Sequence, residues 1–124
     1  MPCIKRNLDE IVIFEIDEHV ASSKIAGKTK DFLMENLNGT EQYIIVDCRK
    51  ISYIDTVFLG AMVFALKRRA SKAKVSFVND DMENQIWTIF EANNLKLFFN
   101  VFSNLEEAVS WFHNPGNGML KMVE

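Results

Sequence analysis

Ile44-Ile45-Val46-Asp47-Cys48-Arg49-Lys50-Ile51-Ser52-Tyr53-Ile54-Asp55-Thr56-Val57-Phe58-Leu59-Gly60-Ala61-Met62 opens and closes on apolar runs with a polar stretch between them. The first run is short and rich in β-branched residues, which reads as a strand buried on both faces. The second run is too long for an ordinary strand. It follows Asp55-Thr56, and both residue types cap helices by accepting an orphan N–H of the first turn. The stretch therefore predicts strand, turn, cap and helix, with a carboxylate and a hydroxyl at the positive end of the helix dipole.

At 100° per residue, Leu59, Met62, Val63, Leu66 and Ala70 share one face of that helix, the natural core side. Val57, Ala61, Phe64 and Arg68 line the opposite face, where a surface helix normally carries polar groups. A helix apolar on both sides is either buried twice or covered by a partner.

Working outward, 124 residues suit one domain with a single core. The formal net charge of −3 argues against a general nucleic-acid binder. The basic cluster Lys67-Arg68-Arg69, with Lys72 and Lys74, sits at a predicted helix C-terminus, where cations complement the dipole. Cys3 and Cys48 show no metal or redox spacing and read as reduced thiols in a cytoplasmic protein. The N-terminus has no apolar signal core, and no run reaches membrane-spanning length, so direct membrane insertion is not expected. No glycine loop for nucleotides is present, and His19 and His113 stand isolated. No cofactor, no metal and no enzymatic activity are expected.

Cys3–Arg6 and Ile11–Ile16 read as strands joined by a hairpin turn. Ser22 or Ser23 caps a helix from about Lys24 to Asn36, stopped by Asn38-Gly39. Val75–Val78 is a further buried strand. Asp80 or Asp81 caps a helix from about Met82 to Ala92, with Met82, Ile86, Ile89 and Phe90 inward and Asn93-Asn94 as its stop. Leu97–Phe102 is the last strand. Asn104 with Glu107 matches a capping box for a final helix burying Leu105, Ala108, Val109 and Phe112. This organisation predicts a domain over residues 1–114 and a tail over 115–124 whose order is left open. Strands alternating with helices imply an α/β fold with parallel pairing, the first strand being an antiparallel edge. The carboxyl ends of such strands gather functional groups, here the loop Asp17-Glu18-His19, the turn Asp55-Thr56 and Asn79-Asp80. A phosphoryl-accepting receiver domain would need a lysine near the last strand, and none stands between Phe102 and the end of the last predicted helix.

Several of these segments together resemble a STAS domain, the fold of anti-sigma-factor antagonists, stressosome proteins and the cytoplasmic tails of sulfate transporters. Glu15-Ile16-Asp17 resembles the family's G-E-L-D at the end of its second strand, and Ile44-Ile45-Val46-Asp47 its central V-x-D strand. Tyr53-Ile54-Asp55-Thr56-Val57-Phe58-Leu59-Gly60 resembles F-x-D-S-S-G-L-G, and Asn93-Asn94-Leu95 stands where S-G-L is frequent. The resemblance implies a single-domain STAS-like fold with a mostly parallel central sheet, one antiparallel edge strand and about four helices. It also implies a bacterial partner-switching regulator of transcription that docks on an anti-sigma factor or serine/threonine kinase, with a phosphatase as a further partner.

In that family a hydroxyl just after the aspartate is phosphorylated and the same surface binds the partner. Carried over, Asp55 matches the aspartate and Thr56 is the phosphorylation candidate, although Thr56 also reads as a plain helix cap. Val57 and Phe58 depart from the usual hydroxyl and glycine, so phosphorylation at the second position is ruled out. The expected partner surface comprises Asp17, Asp55, Val57, Phe58, Ala61, Phe64 and Arg68, with self-association as another use of the apolar stripe. The alternative is a STAS subunit that is not phosphorylated, associated with a transporter complex or binding a small lipid or nucleotide.

Overall fold

A computed structural model of the chain describes residues 2–80, 85–92, 94–95 and 99–113. Strand β4, Tyr43–Asp47, forms where the apolar run predicts it, and Ile44, Ile45 and Val46 are fully buried. On one side it pairs in parallel with β2, Ile11–Ile16, and on the other with β6, Lys74–Val78. β7, Asn100–Phe102, extends the sheet beyond β6 in parallel. β1, Cys3–Leu8, closes the opposite edge antiparallel to β2, giving the order β1-β2-β4-β6-β7. The hairpin between β1 and β2 turns on Asp9 at φ 54, a left-handed conformation that a short aspartate tolerates.

Alternation along each strand divides the core in two. Phe14, Ile16, Ile44, Val46, Val75 and Phe77 face helices α1, Ser23–Asn36, and α2, Thr56–Arg69. Ile89 of α3, Gln85–Ala92, packs against this same cluster. Ile11, Ile13, Ile45 and Val78 face α4, Leu105–His113, through Ala108 and Phe112. The caps follow the sequence. Ser22 accepts the N–H of Lys24, and Asn104 Oδ1 accepts the N–H of Glu107 at 2.8 Å. Helix α1, which the register requires between parallel strands, and the final helix α4 are thus started by side chains legible in the sequence.

Four expectations change. A two-residue parallel ladder joins β3, Val20–Ala21, to β5, Tyr53–Ile54, outside the main sheet. Val63 is only half-buried, because it lies at the flank of α2 facing α3. Phe58, placed on the docking surface by the motif, is fully buried. It sits on the sheet side of α2 with Leu59 and Met62, where the helical step from Val57 carries it inward. The last strand, expected from Leu97, begins only at Asn100, since Phe99 lies outside it with its N–H on the Leu95 carbonyl at 2.9 Å. The Asp81 cap, the helix start at Met82, the inward faces of Ile86 and Phe90, the Asn93 stop and the tail lie outside the described residues or side chains.

Both cysteines are buried free thiols. Burial, with Glu15 nearby, pushes the Cys3 thiol up to about 12, and burial raises Cys48 further. Neither is a thiolate near neutral pH. Ser76, on the α4 side of β6, is fully buried, and among the described residues its hydroxyl has no hydrogen-bond partner. A buried unsatisfied polar group costs roughly 1–3 kcal/mol. Ser76→Ala is therefore expected to leave stability unchanged or raise it by up to about 1 kcal/mol in urea denaturation. A loss of stability would mean that the hydroxyl is satisfied in solution.

Candidate functional site

The β3–β5 ladder brings the Asp17-Glu18-His19 loop against the start of α2. The His19 carbonyl accepts N–H bonds from Ser52 at 2.8 Å and Tyr53 at 3.1 Å, and the Ala21 carbonyl accepts the Asp55 N–H at 3.0 Å. The loop and the Asp55-Thr56 turn thus form one rim at the carboxyl end of the sheet. Asp55 is the N-cap of α2, and its Oδ1 accepts the Phe58 N–H at 2.8 Å. Its Oδ2 accepts the Ser23 N–H at 2.9 Å, the first residue of α1. One carboxylate therefore satisfies orphan N–H groups of two helices whose positive dipole ends converge on it.

Beyond that cap, Thr56 is exposed at the first position of α2. Val57 is 58% exposed and Phe64 51% exposed, with Ala61 half-buried between them and Arg68 exposed at the end of the stripe. Lys30 of α1 places its ammonium 5.8 Å from the Phe64 ring centroid, which covers part of that ring by cation–π attraction. Across α2 from this stripe, an apolar cleft of about 150 Å³ opens between α2 and α3, lined by Thr56, Leu59, Gly60, Val63, Ile89 and Leu95. Val20 and Tyr53, which the sequence did not bring forward, add exposed apolar surface at the rim. Their two-residue strands are too short to show a period.

Of the seven residues expected to bind a partner, Asp55, Val57, Ala61, Phe64 and Arg68 share the outer side or cap of α2. Phe58 does not. Asp17 is exposed on the loop, where it pairs with Lys50 at 2.8 Å. Lys50 also bonds Glu15 at 2.9 Å, and Asp47 holds Arg49 at 2.8 Å and approaches Arg6 at 4.0 Å. The hydrogen bond from Lys50, then its charge, holds the Asp17 carboxyl below the usual aspartate range. The Asp17 and Glu15 bonds raise Lys50, and the Asp47 bond raises Arg49. These carboxylates are engaged by cations, and among the described residues no three His, Cys, Asp or Glu side chains gather as metal ligands. Among the same residues, no helix is long and apolar enough to cross a membrane. The arrangement presents an apolar surface beside an exposed hydroxyl, which is the chemistry of docking.

The family description STAS domain matches residues 4–108. No curated protein sequence matches the chain. Among solved structures, the chain is similar to an anti-sigma factor antagonist from Mycobacterium paratuberculosis, with 9% identity, 87% of this chain and 90% of that chain covered, and a TM-score of 0.75. It is also similar to a candidate anti-sigma factor antagonist from Thermotoga maritima, at 18% identity, 87% and 92% coverage and a TM-score of 0.71. A third similar structure is the Bacillus cell fate determinant SpoIIAA in its phosphorylated form, at 14% identity, 87% and 96% coverage and a TM-score of 0.65. At these identities the likeness is one of fold.

Removing the shared cap in Asp55→Ala should cost about 2 kcal/mol, more than a single typical cap, because both helix starts lose a partner. Asp55→Asn, which keeps an acceptor oxygen, should lose less; equal losses in denaturant melts would argue against the double cap. For Asp17 the depressed folded pKa means that its stabilising pair is present above the unfolded carboxyl pKa and is lost as pH falls through the folded one. An NMR titration of Asp17 should show a midpoint below an ordinary aspartate, moving upward in Lys50→Ala.

Proposed function

The chain belongs to the STAS domain family, and from that premise we propose that it is a regulatory binding module of the anti-sigma-factor-antagonist type. It docks on an anti-sigma factor or a related serine/threonine kinase through the outer side of α2. The observation that carries this reading is the exposure of Val57 and Phe64 on a helix whose opposite side already supplies the core. Two large apolar side chains held in water on one helix stripe are stabilised when a partner covers them. Arg68 at the end of the stripe offers a charged anchor of the kind that recurs in interface hot spots.

Thr56 is the switch in this reading. A phosphorylated form exists for the structural neighbour SpoIIAA, and Thr56 is exposed at the rim of both the stripe and the cleft. A phosphate there is tolerated by its own helix, since an anion at the N-terminus gains roughly 0.3–1 kcal/mol. Its charge of about −2 would stand beside apolar surface and close to Asp55, so the penalty falls on the docked state. A phosphatase that removes it would restore docking. The protein acts in transcription control in a bacterial cytoplasm, without catalysis of its own. A second reading, a transporter-associated or ligand-responsive STAS subunit, draws on the cleft between α2 and α3. Lipid or nucleotide carried through purification and seen by native mass spectrometry would favour it.

Calorimetric titration against the cognate anti-sigma factor tests the favoured reading. Phe64→Glu should abolish binding while the circular dichroism spectrum and melting curve stay close to those of the parent; unchanged affinity would count against docking on α2. Thr56→Glu should weaken binding by roughly tenfold or more, whereas Thr56→Ala should not. Equal affinities for all three forms would remove the switch.

A further inference from the structure

Strand β1 is an open edge of the sheet. Cys3 at its start is buried, but every residue from Ile4 to Leu8 meets water. The Asp17 N–H donates to the Pro2 carbonyl at 2.8 Å, which fixes the phase of the β1–β2 ladder. In an antiparallel pair, the backbone groups of successive residues point alternately towards the partner and away from it. Ile4, Arg6 and Leu8 therefore bond to β2, opposite Glu15, Ile13 and Ile11. The N–H and C=O groups of Lys5 and Asn7 point away from the sheet. Among the described residues no further strand or loop takes them. Open main-chain donors and acceptors on an edge are a template for one more strand.

The side chains along this edge are ordered as well. Ile4, Arg6 and Leu8 share the face of the sheet that carries Ile11 and Ile13. Helix α4 lies mainly over β4, β6 and β7 on that face, and β1 is two strands away from β4. Ile4 is 40% exposed and Leu8 43% exposed. Arg6, between them, is answered by Glu15 at 3.1 Å. Lys5 projects to the other face, is exposed and, among the described residues, joins no salt bridge.

We infer that β1 accepts an extended segment of a partner protein as an added antiparallel strand, with the pattern apolar-x-x-acid-apolar. The first apolar residue stands opposite Leu8, the acid opposite Lys5 and the second apolar residue opposite Ile4. The second residue and the acid exchange main-chain hydrogen bonds with Asn7 and Lys5. The third residue meets Arg6, whose charge Glu15 already serves. Charge selects the occupant, since both charged residues of β1 are basic and opposite charges across a strand pair are favourable. A second copy of the chain is disfavoured. The antiparallel register that matches Ile4 to the Leu8 of a copy sets Arg6 against Arg6, and like charges directly opposite destabilise a pair. The inference goes beyond the docking reading and is independent of it, because β1 and the outer side of α2 share no residue.

The probe is a capped peptide with the core valine-threonine-threonine-glutamate-valine. Beside it stand its lysine-for-glutamate counterpart and a form N-methylated at the second and fourth core residues. Titrated into the 15N-labelled full chain up to roughly millimolar peptide, the first should move the Lys5 and Asn7 amide protons downfield and slow their exchange with solvent. The N-methylated form cannot donate to the edge and should bind roughly tenfold more weakly or not at all. The lysine counterpart should bind about fivefold more weakly, and Lys5→Glu should reverse that preference. Lys5 is exposed, so the melting curve of this variant should match that of the parent. No shift at roughly millimolar peptide overturns the proposal. So do shifts centred outside β1, unchanged binding of the N-methylated form, or a preference that survives Lys5→Glu. A dimer in sedimentation that the peptide dissociates also overturns it and gives the edge to a second copy. Phe64→Glu should leave peptide binding intact, so failure here and failure of docking on α2 are told apart.

Discussion

One carboxylate ties the outer layer together. Asp55 accepts from Phe58 at the start of α2 and from Ser23 at the start of α1, at 2.8 and 2.9 Å. Parallel crossovers force both helices to begin at the same edge of the sheet, so their positive ends converge and an anion between them is stabilised twice. The short β3–β5 ladder exists on the same ground, since the Ala21 carbonyl holds the Asp55 N–H and β3 leads directly into Ser22 and α1. The level at which α1 meets α2 is set by this junction. So is the orientation in which α2 shows its apolar stripe to water.

The two faces of the sheet are finished by different means. Helices α1, α2 and α3 cover one. On the other, α4 covers Ile11, Ile13, Ile45 and Val78. Towards the carboxyl end, where that face carries Glu15 and Asp47, it is closed by Arg6, Arg49 and Lys50. Asp47 is nearly fully buried, so its fork of bonds to Arg49 answers a desolvation cost that an unpaired carboxylate could not bear. These rim charges are committed to one another. On the outer side of α2, Lys30 covers part of Phe64, while among the described residues Val57 stays exposed, and this asymmetry sets that side apart from the paired rim.

Much of this was legible beforehand. The run Ile44-Ile45-Val46 specifies a strand buried on both faces, and Asp55-Thr56, Ser22-Ser23 and Asn104 announce helix starts, because capping is local chemistry. The motif treats Phe58 as part of a surface block, but the structure buries it. The helical step alone, about 100° on from Val57, turns it inward. The periodicity of Val63 fits the core face, but periodicity does not say how far a neighbouring helix reaches. The second bond of Asp55 and the cleft against Ile89 and Leu95 both arise between segments distant in sequence. No window of sequence contains them.

The departures from the usual motif then have a physical meaning. Phe58 stands where the family pattern has glycine, and it fills the core beneath the cap while its N–H donates to Asp55. A bulky buried group at this point anchors the first turn of α2, and it leaves Thr56 and Val57 as the residues of that turn that meet water. They diverge: Thr56 borders the cleft towards α3, whereas Val57 belongs to the stripe with Ala61 and Phe64 towards α1. In the proposed switch, replacing the second hydroxyl by valine adds apolar contact to the docking surface and leaves the first hydroxyl to carry the regulation. A phosphate on Thr56 would then act from the edge of the cleft, blocking entry of an apolar side chain without having to displace the stripe. In that proposal, the same substitution that removes one phosphorylation position would strengthen the surface that the other controls.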